Sequence, residues 1–307
     1  MSSPSRPVVA ITGATGHLGR HIAAAFLSAP FRDQFADIIL LSRQESSQNS
    51  NDKFVTRKYD DNNLAEALKG VQVLVNTVGP SGHAFKDKLA RALPQTDVQV
   101  YFPSEFGVDH YVHDFSHLEW DQKKKHMALA KQLNPDVKIC RVFAGLFLED
   151  SVGPWFGFNT KDGQYECIGS SQSPVSFTSL DDVGKTVASL AALPREKIPD
   201  TVHLAGDTRS FDEIAGIMQT AGAGSIVVSE VELKKYKEET TSELSWEPSI
   251  YLRFLMGEGK INHTARGLGS SNELVNPNQK LWRWVTLSDL AKENKGRPWK
   301  DFPWPLQ

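Results

Sequence analysis

The sequence lacks an excess of charge of either sign. Its 307 residues carry 34 Lys and Arg against 37 Asp and Glu, a formal charge of −3. That balance excludes a generic electrostatic grip on nucleic acid, which needs a basic footprint. Cysteine is scarce: Cys140 and Cys167 stand 27 residues apart, with no Cys-x-x-Cys and no Cys/His zinc spacing. A disulfide framework and a metal centre are therefore not expected. Both cysteines lie in apolar surroundings and read as buried free thiols, which fits a reducing, cytoplasmic compartment. No apolar run approaches 18 residues, so neither a transmembrane helix nor a membrane partner is expected. Residues 1–7 lack the apolar core of a secretory signal, and the last four, Trp-Pro-Leu-Gln, spell no lipidation signal. With 23% charged and 40% apolar residues the composition is ordinary for a globular chain, which argues against wholesale disorder. The length allows two domains, or one large α/β domain with an elaboration.

What is present is an alternation of short apolar runs and helical spacings. Residues 8–12 form a β-branched run, and after a glycine-rich turn Leu18, Ile22 and Phe26 fall at helical spacing. Further strands are expected at 38–41, 54–59, 71–78, 98–102 and 137–143. Helices are expected at 64–68, closed by Gly70, and at 121–133, stopped by Asn134-Pro135. The polar stretch 44–51 reads as a loop. Strands and helices alternating through short connections imply a parallel sheet covered on both faces. The second half is less regular. It offers strands at 176–180, 202–205 and 226–231, and a helix capped by Asp181-Asp182 and running to Ala192. A helix from Ser210 to Ala221, a charged one at 234–239 and an apolar one at 246–257 complete the pattern.

Thr12-Gly13-Ala14-Thr15-Gly16-His17-Leu18-Gly19 stands between the first strand and the first helix. In this context Gly13 permits a tight turn, Gly16 lets backbone approach a pyrophosphate, and Gly19 brings helix close to strand. The helix start, through Thr15, His17 and Leu18, offers free N–H groups to phosphate. Arg43 follows Gly19 by 24 residues, just past the second strand. That is where an acidic residue would bind the ribose of NAD, or an arginine the 2′-phosphate of NADP. Asp37 lies at the wrong end of that strand, so the pattern favours NADP(H), with Lys53 as a possible second cation. Thr77, Val78 and Gly79 follow the fourth strand, where ligands of such sheets sit.

The proton-transfer pair Tyr-x-x-x-Lys is missing: none of the six tyrosines, 59, 101, 111, 165, 236 and 251, has lysine four residues on. Thr12 to Gly19, Asn76-Thr77-Val78-Gly79, Phe102-Pro103-Ser104-Glu105-Phe106-Gly107 and Phe143-Ala144-Gly145-Leu146-Phe147 resemble the NmrA-like and isoflavone reductase-like proteins, atypical relatives of the short-chain dehydrogenases. The resemblance runs from residue 7 to about 220, and Asp109-His110 and Leu148-Glu149-Asp150 give it a fungal cast. It implies an α/β fold, a Rossmann-type doubly wound parallel sheet with a smaller α+β substrate-binding part. The expected division is 1–150 for the dinucleotide and 151–307 for the substrate, with segments near 175–206 returning to the first. It also implies an NADP-dependent reductase with a lysine on the helix after strand five, three residues beyond an aromatic. Trp120-Asp121-Gln122-Lys123 fits, so Lys123 is the candidate that holds the nicotinamide ribose and moves a proton. Lys124 and Lys125 are adjacent, and the choice among the three stays open.

Glu105 reads as structural rather than as a catalytic acid, and His110, His113, His117 and His126 as polar loop residues, with room for one near the substrate. Phe106, Phe147, Trp155 and Phe156 are the candidate substrate-lining residues, with Phe158, Phe177 and Tyr251 adding aromatic surface. The resulting expectation is an NADP-dependent oxidoreductase of an aromatic or polyketide-like small molecule in fungal secondary metabolism. A non-redox isomerase, cyclase or rearrangement enzyme and an NADP-sensing regulator without turnover are the alternatives, because fold does not fix function. Monomer and homodimer both remain open.

Overall fold

The run at 8–12 becomes β1 (Val9–Thr12), and all four of its residues are buried. A strand without a polar face must be covered on both sides. The computed structural model describes residues 6–44, 54–60 and 62–300; Lys53 and most of the polar stretch 44–51 lie outside them. After β1 come α1 (Gly19–Leu27), β2 (Ile38–Ser42), β3 (Val55–Lys58), α2 (Leu64–Ala67) and β4 (Val73–Asn76). Then follow α3 (His83–Ala92), β5 (Val100–Phe102), α4 (Leu118–Leu133) and β6 (Lys138–Ile139). The six strands are parallel in the order β3-β2-β1-β4-β5-β6. Growth of the sheet reverses between β3 and β4, which opens a crevice at the carboxyl ends of β1 and β4.

Alternate residues of β1 serve opposite layers. Val9 and Ile11 face Ile22 and Phe26 of α1, while Ala10 joins Leu89 and Ala90 of α3 and Met127 and Ala130 of α4. The helix α3 is absent from the sequence reading, although Phe85, Leu89 and Leu93 carry its spacing. Four charged residues between His83 and Ala92 dilute the apolar stripe.

The expected strand over 137–143 is two pieces. β6 pairs with β5, and past Cys140 the chain continues as β7 (Arg141–Phe143) with a different neighbour. Next come β8 (Leu146–Phe147), α5 (Leu148–Ser151), β9 (Phe158–Asn159), β10 (Gln164–Ile168), β11 (Val175–Thr178) and α6 (Leu180–Ala191). They are followed by β12 (Thr201–His203), β13 (Asp207–Arg209), α7 (Phe211–Thr220), β14 (Val227–Val231), α8 (Leu233–Thr241) and α9 (Ser249–Gly257). β7 pairs in parallel with β12. β11 lies between β8 and β13, and β10 between β9 and β14.

The cap of α6 differs from expectation. Ser179 accepts from the Asp182 amide, and Asp181 and Asp182 fall in the first helical turn. Ser210 caps α7 as its sequence suggests, in a reciprocal box with Glu213. α6 packs on α1, where a Cβ on Gly184 would stand 2.6 Å from the His21 carbonyl oxygen. Val183, Val187 and Val202 thereby join the core under α1, together with Val275, Trp282 and Trp284 from the C-terminal part. A second core gathers Phe158, Tyr165, Phe177, Phe211, Tyr251 and Phe254.

Candidate active site

The glycine turn is held by the end of the neighbouring strand. The carbonyl of Thr12 accepts from the amide of Thr77 at 3.0 Å and from its hydroxyl at 2.7 Å. Gly13 has φ +73°, and a Cβ there would stand 2.9 Å from Thr77 Oγ1. On Gly19 a Cβ would stand 2.0 Å from the Gly13 carbonyl oxygen, so both positions demand glycine. Thr15, Gly16 and His17 are exposed at the top of the turn, and Leu18 is half-buried. α1 starts without a side-chain cap and without an acidic residue in its first turn. The amide of Arg20 turns back to the Gly16 carbonyl and those of His21 and Ile22 to the Leu18 carbonyl; with no side chain capping the helix, the amides just before them are left to a ligand or to water.

The His17 ring turns away from the turn and pairs with Asp150 at 2.7 Å, while His21 pairs with Asp181 at 2.6 Å. These contacts fasten α1 to α5 and α6. Arg43 is exposed directly after β2, with its guanidinium 5.6 Å from the Phe85 ring centre. Around Gly79 an added Cβ would meet nothing within 4 Å, so the chain after β4 keeps open space.

The three lysines on α4 are distinct. Lys125 is exposed and Lys124 sits 3.6 Å from Asp121 at the half-exposed surface. Lys123 is the most enclosed, 3.6 Å from Glu119. Its charge acts on Glu105, His110, His83 and Lys86. The face it shares with Met127 and Ala130 is the one that packs on the sheet.

Glu105, in the turn after β5, is 1% exposed. Its Oε1 accepts from the Tyr111 hydroxyl at 3.4 Å, and its Oε2 lies 3.3 Å from His110 Nε2. Burial pushes its carboxyl up to about 7, against the pull of Lys123, Lys86 and Arg141. Burial drives His110 far below the usual imidazole range, so it is a neutral partner. His113 and His117 lie in the connection after β5, as the sequence reading has them, whereas His126 is on α4 and His110 in a short 3-10 turn; all are enclosed rather than exposed, His110, His117 and His126 being buried and both ring nitrogens of His113 covered. His126 links Tyr101 at 3.0 Å with Asp87 at 3.2 Å. Tyr101 in turn accepts from Asn76, whose amide oxygen takes the Thr12 hydroxyl at 3.0 Å. One chain of contacts thus ties the end of β1 to α4.

Two groups on α3 escaped the sequence reading. Lys86 is 2% exposed, and its Nζ has no hydrogen-bond partner among the described residues. Both ring nitrogens of His83 are equally unpartnered. Burial and the charge of Lys123 bring Lys86 down to about 8. The available signal was Lys86 itself, a charge in the apolar series of Leu89, Ala90 and Leu93.

The candidate substrate residues do not share one wall. Phe106 belongs to the core under α1 and Phe147 packs against it; Phe156 belongs to the second core, with Trp155 against it. Phe147 and Trp155 retain partial exposure. Both cysteines are buried thiols, Cys140 pushed up by burial to about 12 and Cys167 to about 11.

A strand, a tight glycine turn and an uncapped helix at the crevice of a 3-2-1-4-5-6 sheet define a dinucleotide-binding protein of the Rossmann class. Within that class the model of the NmrA-like family matches residues 5–247, and the chain belongs to this family. It is 26% identical over 237 residues to phenylcoumaran benzylic ether reductase PT1 of Pinus taeda, covering 70% of this chain and 75% of that one. It is 28% identical over 160 residues to an NmrA-like family domain-containing oxidoreductase of Gibberella moniliformis, about half of each chain. Among solved structures, AtPrR2 with NADP+ and (+)pinoresinol superposes with a TM-score of 0.75 at 17% identity, over 95% of this chain and 99% of that one. The leucoanthocyanidin reductase–NADPH complex of Vitis vinifera gives 0.71 at 16% identity, over 94% and 99%.

Proposed function

We propose that this chain is an NADP(H)-dependent oxidoreductase of the isoflavone reductase type. Its substrate is an aromatic or polyketide-like small molecule of fungal secondary metabolism. The observation that carries the reading is the uncapped start of α1 above a turn that only glycine can form, on the same sheet edge as the enclosed Lys123. The names of the relatives support it: reductases of Pinus and Pyrus, and oxidoreductases of Gibberella and Aspergillus.

The dinucleotide, when bound, supplies hydride transfer. The backbone of Gly13, Thr15, Gly16, His17, Leu18 and Gly19 holds its pyrophosphate at the start of α1. The His17 side chain, occupied by Asp150, braces the turn. Arg43 would hold the 2′-phosphate, and Thr77, Val78 and Gly79 would hold the pyrophosphate and ribose. Lys123 holds the nicotinamide ribose and delivers or removes the substrate proton, the task that the missing tyrosine performs elsewhere. Glu119, one helical turn before it, restrains its Nζ. Phe147 and Trp155, the partly exposed members of the aromatic set, line the substrate side, and Phe106 and Phe156 back them from the two cores. Residues 1–150 carry the dinucleotide and 151–307 the substrate, with 175–206 returning to the first part. The two buried thiols fit a reducing compartment such as the cytoplasm.

The test is NADPH binding followed by NADPH oxidation against a panel of aromatic and polyketide-like ketones, enones and benzylic ethers. Saturable binding with substrate-dependent oxidation supports the proposal. Binding with product formed but no net oxidation moves the assignment to isomerisation or cyclisation, and absence of binding overturns it.

A further inference from the structure

An ammonium group is strongly hydrated in water, and burial without a hydrogen-bond partner raises the free energy of its charged form. Lys86 is in that position on α3, enclosed and unpartnered. The groups that face it are His83 and Asp87 on its own helix, Glu119, Lys123 and His126 on α4, and Glu105 after β5. No described hydrogen bond or ion pair cancels its charge. Lys86 in turn stands within reach of the charge of Lys123, the residue placed at the nicotinamide ribose in the reading above, on which this inference rests.

We propose that Lys86 is a positioning residue that acts through charge: the protonation of its buried amine sets whether the site holds the oxidised or the reduced nicotinamide more tightly. The oxidised ring carries a positive charge and the reduced ring none, so a neighbouring ammonium opposes only the oxidised form. Lys86 loses its proton near about pH 8, which removes that opposition as pH rises. Glu105, with its carboxyl near about 7, adds a negative charge in the same direction but over a lower range. The adenosine phosphates are common to both nucleotides, so their own titration cancels in the ratio of dissociation constants.

The experiment is a titration of the full chain with NADP+ and with NADPH, without substrate, between about pH 7.5 and pH 9.5. In the wild type the ratio of Kd for NADP+ to Kd for NADPH falls on the order of ten-fold across this range. In Lys86→Met the ratio starts near the high-pH value and keeps only the shallower fall that Glu105 contributes, and in Lys86→Met with Glu105→Gln it stays flat. In Lys86→Arg, whose charge persists throughout the range, it stays near the low-pH value apart from that same shallow fall. Equal weakening of both nucleotides in Lys86→Met, or a wild-type slope kept by both variants, overturns the inference and leaves the oxidoreductase reading standing. Failure of the wild type to bind either nucleotide removes both.

Discussion

Gly19→Ala adds one methyl group where the glycine turn and α1 approach each other closely. The new Cβ would stand 2.0 Å from the Gly13 carbonyl oxygen and 2.7 Å from Thr77 Oγ1. Ordinary contact begins near 3.4 Å, so the Gly13 carbonyl and the start of α1 must separate by about 1.4 Å. The obstructing atom is backbone, and the Thr77 hydroxyl is already engaged by Thr12, so no flexible group can absorb the shift. Overpacking of this kind costs about 1–3 kcal/mol of stability. The effect on ligand binding is larger in proportion, because the N–H groups that hold the pyrophosphate move with the helix start, and a displacement of about 1 Å can cost on the order of 100-fold. The assays are urea unfolding and NADPH titration by fluorescence. Gly79→Ala is the control, since its Cβ meets nothing, and it should unfold within about 0.5 kcal/mol of the wild type. A Gly19→Ala protein with wild-type stability and wild-type NADPH affinity would refute the reasoning.

Arg43→Ala should weaken NADPH by roughly 10- to 100-fold, the worth of about 1.5–3 kcal/mol for a hydrogen bond to a charged group, while NADH affinity stays within about two-fold; isothermal titration separates the two. Lys123→Ala should reduce substrate-dependent NADPH oxidation by about 100-fold or more, with Lys125→Ala near wild type; equal losses would deny Lys123 its special role. For Glu105 the folded carboxyl, near about 7, lies above its ordinary value of 4.5, so the folded state holds the extra proton between these values. Stability therefore falls as pH rises through that window, by about 3 kcal/mol in all, and Glu105→Gln should abolish the fall; parallel wild-type and Glu105→Gln curves of unfolding free energy against pH would contradict it.

The sheet was legible because its inner strands are buried on both faces. The apolar runs at β1, β2, β4 and β5 need no alternation to be recognised, and the turn after β1 carries its own spacing signal. The split of 137–143 was not legible. β6 and β7 form one apolar stretch, and only the return of β12 from some sixty residues away decides where the pairing changes edge. Similarly, Gly184 announces nothing in sequence; its meaning is the approach of α6 to α1, so close that a Cβ there would stand 2.6 Å from the His21 carbonyl oxygen. At the site, Gly13, Gly19 and Arg43 follow from local spacing, and Lys123 from the family resemblance, which left Lys124 and Lys125 open beside it. Lys86, His83 and the pairing of Glu105 with His110 depend on which faces of α3, α4 and the turn after β5 meet, and that is tertiary information.

The unfavourable groups are unevenly placed, and their placement bears on function. The α1 and α6 side of the sheet is closed by glycine contacts and by aliphatic and aromatic side chains, an arrangement whose main effect is to stabilise. The α3 and α4 side has Leu89, Met127 and Ala130 in its core. At its carboxyl edge it also buries Lys86, Glu105, His110 and His126, and it encloses the ring nitrogens of His83. A Leu or Met at position 86 would pack that interface with less penalty, since burying an unpaired charge is among the most destabilising choices available to a chain. Such groups are tolerated where their perturbed protonation is useful. Lys86 and Glu105 both lie within reach of the charge of Lys123, the residue proposed above for proton transfer.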